Sequence, residues 1–196
     1  MIRTNLREML LEDTEYQLYN GDGTNTFTGF FTASGTIQGA VNTPSLLRNT
    51  AATAMAKAQT EAISAMEADI VAHGKTVPTH VIMHPNAWHR FRIMAKGDAG
   101  YAFGSPAAVG GSDNVPMLYG MTTLTSTFLK DTEGNNNALV GNFVAPWAVL
   151  VMRRGVQIEV GTINAQLTEQ MRTIMASHRC VLQIRRASAF GTVNFG

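Results

Sequence analysis

Few residues in this chain have the type and spacing to do chemistry. His178 and Cys180 lie two apart in TIMASHRCVLQI (173–184), so on a strand both point to one face, and a Cys–His pair is the core of a small thiol hydrolase. The competing role for Cys180 is that of a small core filler, since free cysteine is among the most buried residue types. His84 and His89 are five apart with no carboxylate between them. Helical metal ligands are spaced i, i+3 or i+4, so His84 is expected to cap a helix and His89 to sit exposed on it. A single cysteine makes neither an internal disulfide nor a Cys-based zinc cage, and it suits a reducing compartment. No metal site, cofactor site or catalytic residue is therefore assigned. Gly21-Asp22-Gly23 begins like a dinucleotide fingerprint, but the third glycine is missing and a helix precedes it, so it reads as a helix cap. Gly110-Gly111-Ser112-Asp113-Asn114 breaks the G-x-S-x-G pattern, and no Walker loop is present.

Charge adds two basic pairs, Arg153-Arg154 and Arg185-Arg186. Such pairs discourage unwanted strand pairing, or they meet a neighbouring subunit's acids or packaged nucleic acid. Glu12/Asp13 and Asp131/Glu133 read as solvated turns or helix faces. Fifteen Lys and Arg against fourteen Asp and Glu leave a net charge of +1, which excludes a strongly basic nucleic-acid clamp. At 196 residues and 45% hydrophobic, the chain suits one domain or two small interleaved ones. A chain of this size buries roughly 70% of its unfolded surface without disulfides or metals. No stretch of about 18 uncharged apolar residues spans a membrane, and the N-terminal twenty residues lack a secretory apolar core. Composition alone reads as soluble, intracellular and globular.

The elements that must hold these residues follow from periodicity. Ile2, Leu6, Met9 and Leu10 form one stripe of a helix over 2–19, closed by Asn20-Gly21-Asp22-Gly23. Residues 24–41 read as loop or irregular strand. Thr50 is placed to cap an Ala-rich helix over 51–72, with Met55, Ile63, Met66 and Ile70 inward and Gly74 as its stop. THVIMHP (79–85) is a buried strand, and Pro85 opens a third helix with Trp88, Phe91 and Met94 or Ala95 on its core face and Gly97-Asp98 at its end. The Gly-, Pro- and Ser-rich 104–116 is a surface loop. Strands are expected at 117–126, 138–143, 147–154 and 156–161, with turns at 134–137 and at Arg154-Gly155. Alternation over 174–185 gives a strand longer than usual, with one apolar face. Helices early and strands late make the fold class α+β.

The order of segments resembles the major capsid proteins of tailed bacteriophages, the Hong Kong 97-type shell fold. The matching pieces are LYNGDGTNTFTGF (18–30), VIMHPNAWHRFRIMAKGDAGYAFG (81–104), LYGMTTLTST (118–127), NALVGNF (137–143), VMRRGVQIEV (151–160) and EQMRTIMASHRCVLQIRRASAF (169–190). The resemblance implies interleaved domains. Residues 1–41 form a peripheral domain with a spine helix, 42–145 an axial domain, 146–185 long peripheral strands, and 186–196 an axial return strand. The 104–116 loop would lie near the capsomer centre. Members carry an N-terminal arm and an extended loop before the spine helix. Here the chain starts at that helix, which implies a truncated, processed or partly sequenced chain or a prophage remnant. The family's Gly-Leu-Pro is Gly120-Met121-Thr122, and the Pro expected after the tail arginine is Ala187.

The resemblance further implies a non-enzymatic subunit of an icosahedral head, assembling with itself into pentamers and hexamers around double-stranded DNA. It would contact that DNA without sequence specificity. Arg153, Arg154, Arg185 and Arg186 are the candidate inter-subunit or DNA-facing contacts. Scaffold, protease and portal proteins are the further partners, and no membrane is involved. The location is the virion capsid, reached from the host cytoplasm. An encapsulin-type nanocompartment shell is the alternative, and a small hydrolase using Cys180 and His178 the distant one. Some members cross-link through a Lys–Asn isopeptide bond assisted by a Glu; the matching positions here are Gln170 and Ser177, and the donor-lysine loop is absent. Shells boiled in detergent should therefore release monomers on a denaturing gel, and a covalent ladder would contradict this.

Overall fold

The computed structural model describes residues 2–24, 26–39, 52–92, 117–129, 138–162 and 172–194. The chain divides into two compact units, one of residues 1–32 and 149–183, the other of 33–148 and 184–196.

In the first unit, helix α1 (Ile2–Asn20) is followed by a loop that folds back on its end. Gly21 N–H closes the helix on the Gln17 carbonyl at 2.8 Å, and the N–H groups of Phe30 and Phe31 reach the Leu18 and Tyr19 carbonyls at 2.9 and 3.0 Å. These loop donors satisfy carbonyls that a helix end leaves open. The Tyr19 and Phe31 rings stack 6.0 Å apart beneath them. The Asp22 carboxylate accepts from Thr24 N–H and Thr26 hydroxyl, which holds its pKa below the usual value. The expected inward stripe is only half right. Ile2 and Met9 are exposed, whereas Leu6 and Leu10 are partly covered and Thr14 and Tyr19 buried. The covered line therefore runs 6-10-14, at i+4 spacing.

The rest of this unit is a two-stranded ribbon, strand β6 (Ala148–Gly161) with β7 (Thr173–Ile184); Ala148 and Ile184 belong by contact to the second unit. The turn expected at Arg154-Gly155 does not form, and β6 runs through it unbroken. A single glycine does not reverse a strand whose partner continues alongside. On β7 the expected alternation holds from His178 onward, with even positions half-buried and odd ones exposed.

The second unit is built on a six-stranded mixed sheet ordered β1-β8-β5-β2-β4-β3. Its strands are β1 (Ile37–Gly39), β2 (His80–Met83), β3 (Met117–Leu118), β4 (Met121–Thr125), β5 (Ala138–Gly141) and β8 (Phe190–Val193). Residues 33–39 therefore leave the helix unit before the boundary expected at 41, because Ile37–Gly39 pairs parallel to Gly191–Val193. The strand expected over 117–126 is broken by a turn at Tyr119-Gly120, where both φ angles are positive.

Helix α2 (Ala52–Asp69) and a π-turn (Ile70–Gly74) cover the sheet, with α3 (Pro85–Arg92) beside them. Ile63, Met66 and Ile70 are buried as their spacing predicts, together with Phe91, Val81, Met83 and Val140. Each such side chain contributes about 1.5–3 kcal/mol when fully buried. A Cβ at Gly191 would overlap the thioether of the buried Met66, which would have to move aside. His84 caps α3 as expected, its Nδ1 accepting Asn86 N–H at 3.1 Å, and His89 is exposed. Thr50, Met94, Ala95, Gly97-Asp98, the 104–116 loop, the 134–137 turn and Gln170 lie outside the described residues.

In urea unfolding, Phe91→Ala should cost about 3–5 kcal/mol, the range for emptying a packed aromatic site. Met9→Ala should stay within about 0.5 kcal/mol, as for an exposed position. A large loss at Met9 would show that the expected stripe, rather than the 6-10-14 line, carries the helix.

Candidate assembly interface

His178 and Cys180 do come together, but with a third residue that the sequence did not single out. Thr14 on α1 donates its hydroxyl hydrogen to the Leu10 carbonyl at 2.7 Å, so its oxygen is left as an acceptor. His178 Nε2 stands 2.9 Å from that oxygen, so the imidazole tautomer with its proton on Nε2 completes this arrangement. Cys180 Sγ is 3.3 Å from the same Nε2. A nitrogen that already carries its proton has no lone pair to take one from a thiol. Burial also pushes the Cys180 thiol up from its ordinary value. In that tautomer Nε2 is no base for the Cys180 thiol, and the raised thiol pKa disfavours the thiolate, so neither activates the nucleophile that the spacing suggested. The cluster instead ties β7 to the helix. The groove beside it, lined by Gln17, Thr26, Phe27, His178, Arg179 and Cys180, is shallow and open at about 320 Å³. Among the described residues no group of three or more His, Cys, Asp or Glu is placed to hold a metal ion, and no helix is long and apolar enough to cross a membrane.

The four candidate arginines separate. Arg154 is held by Glu159 at 2.9 Å on the same strand. Arg186 lies over the Trp147 ring at 5.4 Å, and Arg185 N–H donates to the Trp147 carbonyl at 2.9 Å. Arg153 and the Arg185 side chain point outward. What the sequence reading missed is the apolar surface around Arg153. Val151 and Met152 are 45% and 56% exposed, and Met175 and Val181 on β7 are similarly bare. The signal was present in Val149-Leu150-Val151-Met152, because four consecutive apolar residues put hydrophobic groups on both faces of a strand. A ribbon only two strands thick leaves such a run uncovered. Exposed apolar area of this kind is a surface available to another protein.

The sequence pattern of the phage capsid family matches residues 1–195, essentially the whole chain. The chain belongs to the phage capsid family. Solved capsid structures share its fold, the Hong Kong 97-type α+β shell fold. The capsid of an empty GTA particle superposes with TM-score 0.69 at 13% identity, covering 100% of this chain and 65% of that one. The holo-SrpI encapsulin complex of Synechococcus elongatus gives 0.65 at 14% identity, covering 99% and 64%. A structure from Mycobacterium phage Ogopogo gives 0.62 at 12% identity, covering 93% and 63%. This capsid-family chain thus spans a little under two thirds of the length of the structures it resembles. No curated protein sequence matches it.

The reactivity of Cys180 with pH reads out its protonation state. Alkylation of Cys180 by iodoacetamide should keep accelerating through and beyond pH 8.5, about where an ordinary thiol titrates. A rate already level near pH 7 would reveal a stabilised thiolate and restore the hydrolase reading.

Proposed function

We propose that this chain is a structural subunit of an icosahedral phage or prophage head, associating with itself into pentamers and hexamers that enclose double-stranded DNA. The observation that carries the reading is the family match along residues 1–195. The exposed apolar ribbon supports it, since lateral association covers that surface. In this reading the helix-and-ribbon unit is the peripheral domain and the sheet unit the axial domain. Arg153 and Arg185 are the arginines left to meet neighbouring acids or DNA phosphates, because Arg154 and Arg186 are engaged within the chain. A net charge of +1 suits contacts that neutralise a few phosphates without reading bases. Scaffold, protease and portal proteins complete the assembly, which passes from host cytoplasm to virion. The subunit performs no turnover.

An encapsulin-type shell is the second reading, favoured by the likeness to the Synechococcus elongatus complex. The two differ in what the inner wall holds, DNA or a cargo protein. Negative-stain images and sedimentation velocity of the purified protein should show rings or closed shells. Nuclease-protected DNA inside them supports the head, and a co-purifying enzyme supports the compartment. A strictly monomeric protein at all concentrations overturns both.

A further inference from the structure

The β3–β4 hairpin carries an unexplained cost. Its two connecting residues, Tyr119 and Gly120, have φ of 51° and 77°. Both are left-handed, the geometry of a hairpin turn that Asn-Gly suits best. Glycine takes it freely; a tyrosine does so at a backbone cost and is an outlier among bulky residues. Burial does not recover that cost, because Tyr119 is 46% exposed. Strain kept at an exposed position points to a use for the side chain.

The surroundings define what that use would be. The hairpin forms the β4–β3 edge of the sheet. Met117 pairs with Thr122, so Met117 and Leu124 share the sheet face away from the helices, and both are exposed. Besides partial burial, the carboxylates of Glu61 and Glu67 on α2 act on the Tyr119 hydroxyl and raise its pKa. An exposed aromatic ring with exposed apolar side chains and carboxylates in its surroundings fits a guanidinium carried on an apolar surface. The same chain already uses this chemistry where Arg186 lies over Trp147. The β6–β7 ribbon offers the complement. Arg153 shares a strand face with Val151, and Arg179 with Val181, and all four are exposed.

We propose that the Tyr119 hairpin tip of one copy receives the ribbon of a second copy, with Arg153 and Arg179 set against Tyr119, Glu61 and Glu67. The contact joins unlike patches, so it is head-to-tail, the kind of contact from which rings close. It rests on the shell-subunit reading and names one of the surfaces through which that shell forms.

The test compares melting temperature and self-association, by sedimentation velocity, across four variants. Tyr119→Asn should raise the melting temperature by about 2–4 °C, as relieved strain does in a chain of this size, while raising the concentration needed for association about tenfold. Glu67→Arg, and Arg153→Glu with Arg179→Glu, should each weaken association to a similar degree, and combining them should restore it. The proposal is overturned if Tyr119→Asn associates like the unmodified protein, or if the combined variant recovers nothing. If the unmodified protein never associates, the shell reading itself fails; if it associates and the variants match it, only this contact fails.

Discussion

Strand β8 holds the sheet unit together. Its four residues lie between β1 and β5, pairing parallel to one and antiparallel to the other. Those residues are Phe190, Gly191, Thr192 and Val193, and all four are buried. Without them β1 has no neighbour in the sheet and one edge of β5 is bare, and an unpaired backbone group buried away from water costs about as much as a lost hydrogen bond. The side chains act in the same direction. Phe190 packs edge-on against Phe143, and Gly191 makes the space that Met66 occupies. One short strand therefore closes both the hydrogen-bond ladder and the core.

The chain meets this constraint by excursion. It builds most of the sheet, leaves to form the ribbon beside α1, and returns through Ala187–Ala189 to place β8. The tie between Trp147 and Arg185-Arg186 joins the point of departure to the point of return. The ribbon itself is held to α1 by the Thr14–His178 bond and leaves much of its apolar surface open. A buried, closed core in one unit and a bare, extended surface in the other is a division suited to a subunit whose output is association.

Local signals were readable where they were strong. The i, i+4 spacing placed α1 and α2, the Pro85 start with its His84 cap placed α3, and alternation marked β7. Signals failed where one residue had two meanings. Gly155 looked like a turn and is strand, because a pairing partner overrides a lone glycine. Ile2 and Met9 looked buried and are exposed, since periodicity gives a stripe but not which part of it finds a partner. Thr14 was invisible as a site residue because its partner lies 164 positions away. The separation of Arg153 from Arg154 was equally hidden, depending on a glutamate five residues on. The family resemblance drew on segment order, which survives when single motifs such as Gly120-Met121-Thr122 have drifted.

The placement of β8 also sets a clock. Ribosomes add about 5–20 residues per second, so roughly ten to thirty seconds separate the emergence of β1 from that of the strand it pairs with. Throughout that interval the nascent sheet lacks its keystone and stays open. A chain broken off early in translation never acquires it, and its β1 and β5 keep an unpaired edge.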